Sequence, residues 1–382
     1  MNFFLSLIAF FMSLILGAQT AFYNFGELKL HDKASIGFHT DLVNDGNLDN
    51  NNKGLVLFYS DNDIINISGK NRVIFNDVKI DAINDIELYN SLGIANDLKI
   101  VNGRIFTPKD GNISLDFINH NVNTGESDQR YIDGYITVTG STDFSFPIGS
   151  NNSLKTMILT TKDTISTFKG TYFPLDPNHE PYHYYTSQKQ IFIENVSTKE
   201  FWDLDGSSDT KVTLTWKSND DIKAITSDIN LLKVLGWDES KGKWMDLGQS
   251  KVSGNIHSGK VTSNSFIPDH YKAITLGSEI SAVNTIGKTN LIITPNGDLH
   301  NETLTFDGLD ELIGNKLTIY NRWGKVVYEA VDYQNDWRGE SSDQPTIIED
   351  KFLPVGTYFY SLKMVIKIGS SLLKTGWIYI QK

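Results

Sequence analysis

Residues 54–80 read GLVLFYSDNDIINISGKNRVIFNDVKI, and the two ends of that stretch decide the fold. GLVLFYS (54–60) and NRVIFNDVKI (71–80) are rich in β-branched and aromatic residues that alternate with smaller or polar ones. That period of two belongs to a strand with one buried face. Between them DNDIINISGK (61–70) sets three isoleucines among Asn, Asp, Ser and Gly, the residues that tolerate tight backbone turns. The same grammar recurs in NISLDFI (112–118), YITVTG (135–140), TMILTT (156–161), KVTLTW (211–216), KLTIYN (316–321) and GTYFYSLKMVIKI (356–368). Nowhere does an apolar stripe at helical spacing persist for three turns. An all-β chain is predicted.

Three blocks separate by rhythm. Residues 19–140 repeat a short strand, an Asn-Gly or Gly-Lys corner and another short strand, as in NDGNLDNNNKG, NISGKN and ANDLKIVNGRIFT. This predicts an irregular stack of β-arches or a short β-solenoid, each rung hiding its face on the next; a plain sandwich is the alternative. Residues 141–278 have longer strands and carry Trp202, Trp216, Trp237 and Trp244, as a two-sheet β-sandwich requires. The polar stretch EISAVNTIGKTN (279–290) suits a linker. Residues 291–382 have their own strands and tryptophans, at a length suited to an immunoglobulin-like sandwich.

Composition narrows the function classes. The apolar run Phe3–Leu16 is followed by the small residues Gly17 and Ala18, so residues 1–18 are expected to be a signal peptide removed after Ala18. Export by the Sec translocon and cleavage by signal peptidase follow from that reading. The 382-residue chain contains no cysteine, which removes thiol catalysis and leaves stability to buried apolar surface, large sheets or bound ions. With 46 acidic against 34 basic residues the formal net charge is −12, which argues against nucleic acid or an anionic membrane as partner.

Candidate chemistry is thin. Residues 179–183 spell His-Glu-Pro-Tyr-His, the letters of the zinc-protease motif. That motif needs a helix to put both imidazoles on one face, and Pro181 denies it one, so a loop is expected instead. DLVNDGNLDNNN (41–52) resembles a calcium loop through Asp41, Asp45, Gly46 and Asp49, but it lacks ligands at Val43 and Asn52 and has no flanking helices. It reads better as an Asx-rich turn. Trp237 and Trp244 in GWDESKGKWMDLG could stack on sugars, yet a hairpin whose rings meet across strands is the simpler expectation. No nucleophile elbow, phosphate loop or dinucleotide fingerprint occurs. A pair of glycosidase carboxylates is not excluded by so acidic a chain.

The last block carries the most specific signal. IITPNGDLHNETLTFDGLD, then NKLTIYNRWGKVVYEAVDYQNDWRGE, LPVGTYFYSL and a closing TGWIYIQK run in order from about Leu291 to Lys382. Together they resemble the gliding-motility-associated C-terminal domain, the type B sorting domain of the type IX secretion system in Bacteroidetes. The residues carrying the likeness are Pro295, Asn296, Gly297, Asp298, Asn321, Arg322, Trp323, Gly324, Trp337, Gly339, Pro354, Gly356 and Tyr358. Three positions depart from the pattern: Leu299 stands for a Gly, Glu302 for an Asp, and Arg338 for an acidic or amide residue. GFHTDLVNDGNLDNNNKGLVLFY, TDFSFPIG and the pair FWDLDG and KVTLTW also look like surface proteins that bear this domain. The resemblance implies a non-enzymatic protein that the type IX machinery delivers to the cell surface. There it would act as a stalk or an adhesin towards polysaccharide or protein, with gliding as one setting. The alternative is a carbohydrate-active or proteolytic enzyme under the same export tag. No cofactor is expected, save calcium if the opening loop binds it through Asn296, Asp298 and Asn301. Within the domain Trp323 is expected to plug the core beside the Gly324 turn, with all three tryptophans contributing to the apolar interior.

Overall fold

The computed structural model describes residues 21–48, 53–119, 122–280, 289–342, 352–367 and 370–381. The signal peptide expected over 1–18, most of the 279–290 linker, and Asp49 and Asn52 of the 41–52 stretch lie outside them. The described residues are almost all in β architecture, with an N-terminal solenoid of about five turns.

Each turn contributes one short strand to each of two parallel sheets. Strands of the first sheet are Ala21–Asn24, Asp41–Asn44, Ile65–Ser68, Ile86–Leu88, Ile105–Phe106 and Ile132–Asp133, hydrogen-bonded in that order. Those of the second are Ser35–Phe38, Leu55–Ser60, Val73–Ala82, Leu92–Asn102, Leu115–Ile118 and Ile136–Thr139. The starts at 21, 41, 65, 86, 105 and 132 are unevenly spaced, which is why the sequence repeat looks irregular. Inward positions stack in register, as where Phe38, Phe58 and Ile80 meet across three neighbouring strands.

The corners explain the abundance of Asn, Asp and Gly. Asp41 Oδ1 accepts the backbone N–H of Asn66 at 2.8 Å, Asp45 Oδ1 that of Lys70 at 2.9 Å, and Asp85 Oδ1 that of Arg104 at 2.7 Å. In each case a carboxylate on one turn satisfies an amide on the next. Inside, Asn24 Nδ2 donates to Asn44 Oδ1 at 2.7 Å, and Asn44 Nδ2 donates to the carbonyl of Asn71 at 3.0 Å. Gly46 is required by close approach, since a Cβ there would lie 2.2 Å from the carbonyl oxygen of Gly26.

The second solenoid sheet does not stop at the last turn. Ile136–Thr139 pairs antiparallel with Thr167–Phe173, and the sheet continues through Phe201–Asp205, Ile274–Glu279, Leu232–Asp238 and Lys243–Asp246. The expected boundary at 140/141 therefore falls within a continuous 13-stranded sheet. A second, five-stranded sheet of Asp143–Phe146, Met157–Thr161, Thr210–Trp216, Ser258–Thr262 and Lys251–Asn255 completes the two sheets of the middle block. One cluster of buried side chains runs from Leu30 through Phe117, Trp202 and Trp216 to Leu276, so solenoid and sandwich share a single core. Lys155 is buried in this unit. Its Nζ lies 2.5 Å from Glu200 Oε2 and also contacts Asp220, and Tyr172 Oη donates to Glu200 at 2.7 Å, so the buried charges are paired.

A second compact unit comprises residues 189–194 and 279–382. Its five-stranded sheet has the order Ile292–Ile293, Ser370–Ile380, Gly356–Lys367, Gly314–Tyr320 and Val326–Val331. One face is apolar and buried through Leu317, Ile319, Tyr358, Tyr360, Leu362, Met364, Ile378 and Ile380. Across that core, among the described residues, lie coil, the single 3-10 turn Leu309–Glu311 and two isolated bridges, Thr289–Phe306 and Glu340–Phe352. Ile191 and Phe192 pack against the same cluster.

Candidate functional site

The sequence points to the second unit as the part that acts, and its motif residues fall on loops around the sheet, save Gly356 and Tyr358 at the start of the strand Gly356–Lys367. The opening loop, Thr294–Glu302, follows the edge strand Ile292–Ile293. Asp298 Oδ1 accepts the N–H of His300 at 2.8 Å, Asn296 Oδ1 that of Asp298 at 3.0 Å, and Glu302 Oε1 that of Gly297 at 2.5 Å. Asn296 Nδ2 also donates to Asp298 Oδ2 at 3.1 Å. The amide of His300, then the Asn296 side chain, holds the Asp298 carboxyl below its ordinary range. The calcium candidates Asn296, Asp298 and Asn301 thus share one loop, and the polar atoms of the first two are turned onto the loop itself. Leu299 has φ +69° and Asn301 φ +53°. Leu299 is 90 % exposed, so it occupies a left-handed conformation that suits glycine and gains no packing from its side chain.

Asn321, Arg322, Trp323 and Gly324 form the turn between Gly314–Tyr320 and Val326–Val331. Asn321 Oδ1 accepts the N–H groups of Trp323 and Lys325, both at 3.0 Å, and Gly324 takes φ +77°. This geometry corrects the expectation for Trp323. The turn projects past the sheet end, so Trp323 is 75 % exposed, with the Arg322 guanidinium over its ring, 4.3 Å from the centroid. Trp377 also sits on the outer face, 48 % exposed.

Trp337 is the buried tryptophan of this unit, 1 % exposed. Its Nε1 donates to the carbonyl of Glu340 at 2.8 Å, and its ring lies 5.5 Å from that of Tyr328. Beside it, Gly339 has φ +90°, and a Cβ there would press on Ile380 at 3.3 Å. Pro354 precedes the long strand Gly356–Lys367, and its carbonyl accepts from Tyr358 Oη at 2.9 Å.

Several residues that organise these loops had not been singled out. Asn315 holds Tyr333 through both of its backbone groups, at 2.9 and 3.1 Å. Tyr333 Oη donates to the carbonyl of Leu304 and accepts from the N–H of Trp337 at 3.1 Å. Asn335 clamps both backbone groups of Phe306 at 2.8 and 3.2 Å. Tyr333, Asn335 and Trp337 all lie in YQNDWRG, whose spacing was the available signal. Their long-range partners were not visible.

The other candidates lie in the first unit. Residues 179–183 lie in successive turns: the N–H groups of Tyr182 and His183 both reach the carbonyl of His179, at 3.0 and 3.2 Å, and His183 has φ +54°. Trp237 and Trp244 are opposite each other on adjacent strands, buried, with ring centroids 5.7 Å apart. Among the described residues no group of three or more His, Asp or Glu side chains is placed to hold a metal.

The second unit is thus a small β domain whose loops are held by amide side chains. Residues 286–380 match the CHU_C type IX secretion signal domain, and the chain thus carries a sorting domain of the gliding-motility C-terminal kind. That domain implies interaction with the type IX secretion machinery, export and attachment at the cell surface. No curated protein and no solved structure matches the chain.

Proposed function

We propose that the chain is a non-enzymatic surface protein of a Bacteroidetes bacterium, in which the solenoid–sandwich unit is the cargo and residues 291–382 are its export tag. It enters the periplasm through the Sec translocon, loses its signal peptide, crosses the outer membrane by type IX secretion and serves as a structural or adhesive element outside. Gliding is one setting for that role. The observation that carries the reading is the match of 286–380 to a secretion signal domain. The adhesive part is supported by the structural roles of the candidate chemical groups: Asp41 and Asp45 cap backbone, and Trp237 and Trp244 pack on each other.

The test is localisation. Deleting 291–382 should leave the remainder in the periplasm, as should loss of the type IX translocon with the chain intact. Ile191 and Phe192 lose their packing in the truncated protein, so protease resistance of the periplasmic product must show that it still folds. A folded truncated protein reaching the surface at the normal level would sink the assignment.

A further inference from the structure

On the solenoid, Ile83, Asp85, Asn102, Gly103 and Arg104 meet Ser127, Gln129, Arg130 and Asn152 around a pocket of about 410 Å³. That volume lies within the range of sites that hold small ligands. Its two arginines are in different states. Arg104 is neutralised: its Nε and Nη2 bind the two carboxylate oxygens of Asp85 at 3.1 and 2.6 Å, and its Nη1 reaches Asn152 Oδ1 at 3.3 Å. Arg130 is held by neutral acceptors, with Nε on Ser127 Oγ at 3.2 Å and Nη1 on the carbonyl of Val101 at 3.1 Å. Among the described residues no carboxylate pairs with it, and it lines the pocket. Nearby Asp128 is engaged elsewhere, with Lys217 and the N–H of Leu154.

The remaining lining suits a hydroxylated ring. Asn102 Nδ2 is committed to Asp81 at 2.8 Å, leaving its carbonyl oxygen as an acceptor. Gln129 and Asn152 add amide donors, and Ile83, 57 % exposed, offers one apolar wall for a C–H face. A planar guanidinium favours a carboxylate, which it can bind through two N–H groups. The net charge of −12 repels anions at long range, but screening confines that field to about 8 Å at physiological salt, so short-range contacts decide.

We propose that this pocket binds an acidic sugar, a uronate residue of a polysaccharide, with Arg130 on its carboxylate. The site gives the adhesive reading a ligand class. It is tested on purified protein, so its failure leaves the export assignment untouched.

Calorimetric titration of the exported protein with an oligogalacturonate should show binding, with a neutral malto-oligosaccharide of equal length at least about tenfold weaker. Sodium acetate alone should bind more weakly still. Arg130→Gln should lose about tenfold or more in affinity for the oligogalacturonate, and Arg130→Lys should fall between. Should Arg130→Gln fail to fold, Asn152→Asp serves instead: it keeps the acceptor for Arg104 and should weaken the acidic ligand by charge alone. No binding of the oligogalacturonate, equal binding of the neutral sugar, acetate binding as tight as the oligosaccharide, or indifference to these substitutions would each overturn the proposal.

Discussion

Trp323 and Trp337 look alike in the sequence and lie in opposite environments. Trp323 sits at the tip of a hairpin whose turn is fixed by Asn321 and Gly324, so its ring is carried past the sheet. Trp337 is drawn inward because Tyr333 and Glu340 satisfy its polar atoms. Truncating a buried Trp costs about 3–5 kcal/mol, against a total of about 5–15 for a domain. Trp337→Ala is therefore expected to lower the melting temperature of the C-terminal unit sharply. Trp323→Ala should change stability by no more than about 0.5 kcal/mol. Thermal melts of the whole protein followed by fluorescence check both, and a reversed ranking would show that the turn packs differently in solution. The motif NRWG was legible as a turn. Its ring was misplaced because local spacing does not say whether a hairpin tip lies over a core or beyond it.

At the scale of elements, strand existence was plain: GLVLFYS became Leu55–Ser60 and NRVIFNDVKI became most of Val73–Ala82. Partner choice was hidden. Nothing local to Ile136–Thr139 says that its next neighbour is the antiparallel Thr167–Phe173, because that pairing is set by the shared core. Nor does an Asp-rich corner reveal whether its carboxylates cap their own turn or the next one, as here. On Phe201–Asp205, burial and then the neighbouring Asp205 push the Asp203 carboxyl up to about 6, against the hydrogen bond from Tyr135 Oη at 2.5 Å. The folded chain thus holds this proton more tightly than the unfolded one. The associated stability is complete below about pH 4 and is lost as pH rises through about 6, an effect of at most about 3 kcal/mol. Asp203→Asn should therefore melt higher than the parent at pH 7, and the two should converge near pH 4. A difference independent of pH would assign the effect to packing instead.

At the scale of the molecule, the export tag was the most legible part, because its motifs come in a fixed order along one stretch. The fusion of solenoid and sandwich was the least legible, since it depends on a sheet assembled from distant segments. Sheet order in the C-terminal unit makes one more outcome specific. Ser370–Ile380 lies between Gly356–Lys367 and Ile292–Ile293, with hydrogen bonds to both. Removing residues 370–382 should strip the sheet of an interior strand and trap the protein in the periplasm as fully as deleting 291–382 does. Surface display of that shorter truncation, measured by protease accessibility on intact cells, would show that the sheet is not what the machinery reads.

That placement of Ser370–Ile380 also sets a clock. Translation makes this strand after every other strand of the sheet, so the sheet cannot be completed before Ser370–Ile380 has been made. A chain broken off by a nonsense codon or a stalled ribosome carries cargo without a finished address. The edge strand Ile292–Ile293 would then have no neighbour to pair with, and the sheet would stop at Gly356–Lys367.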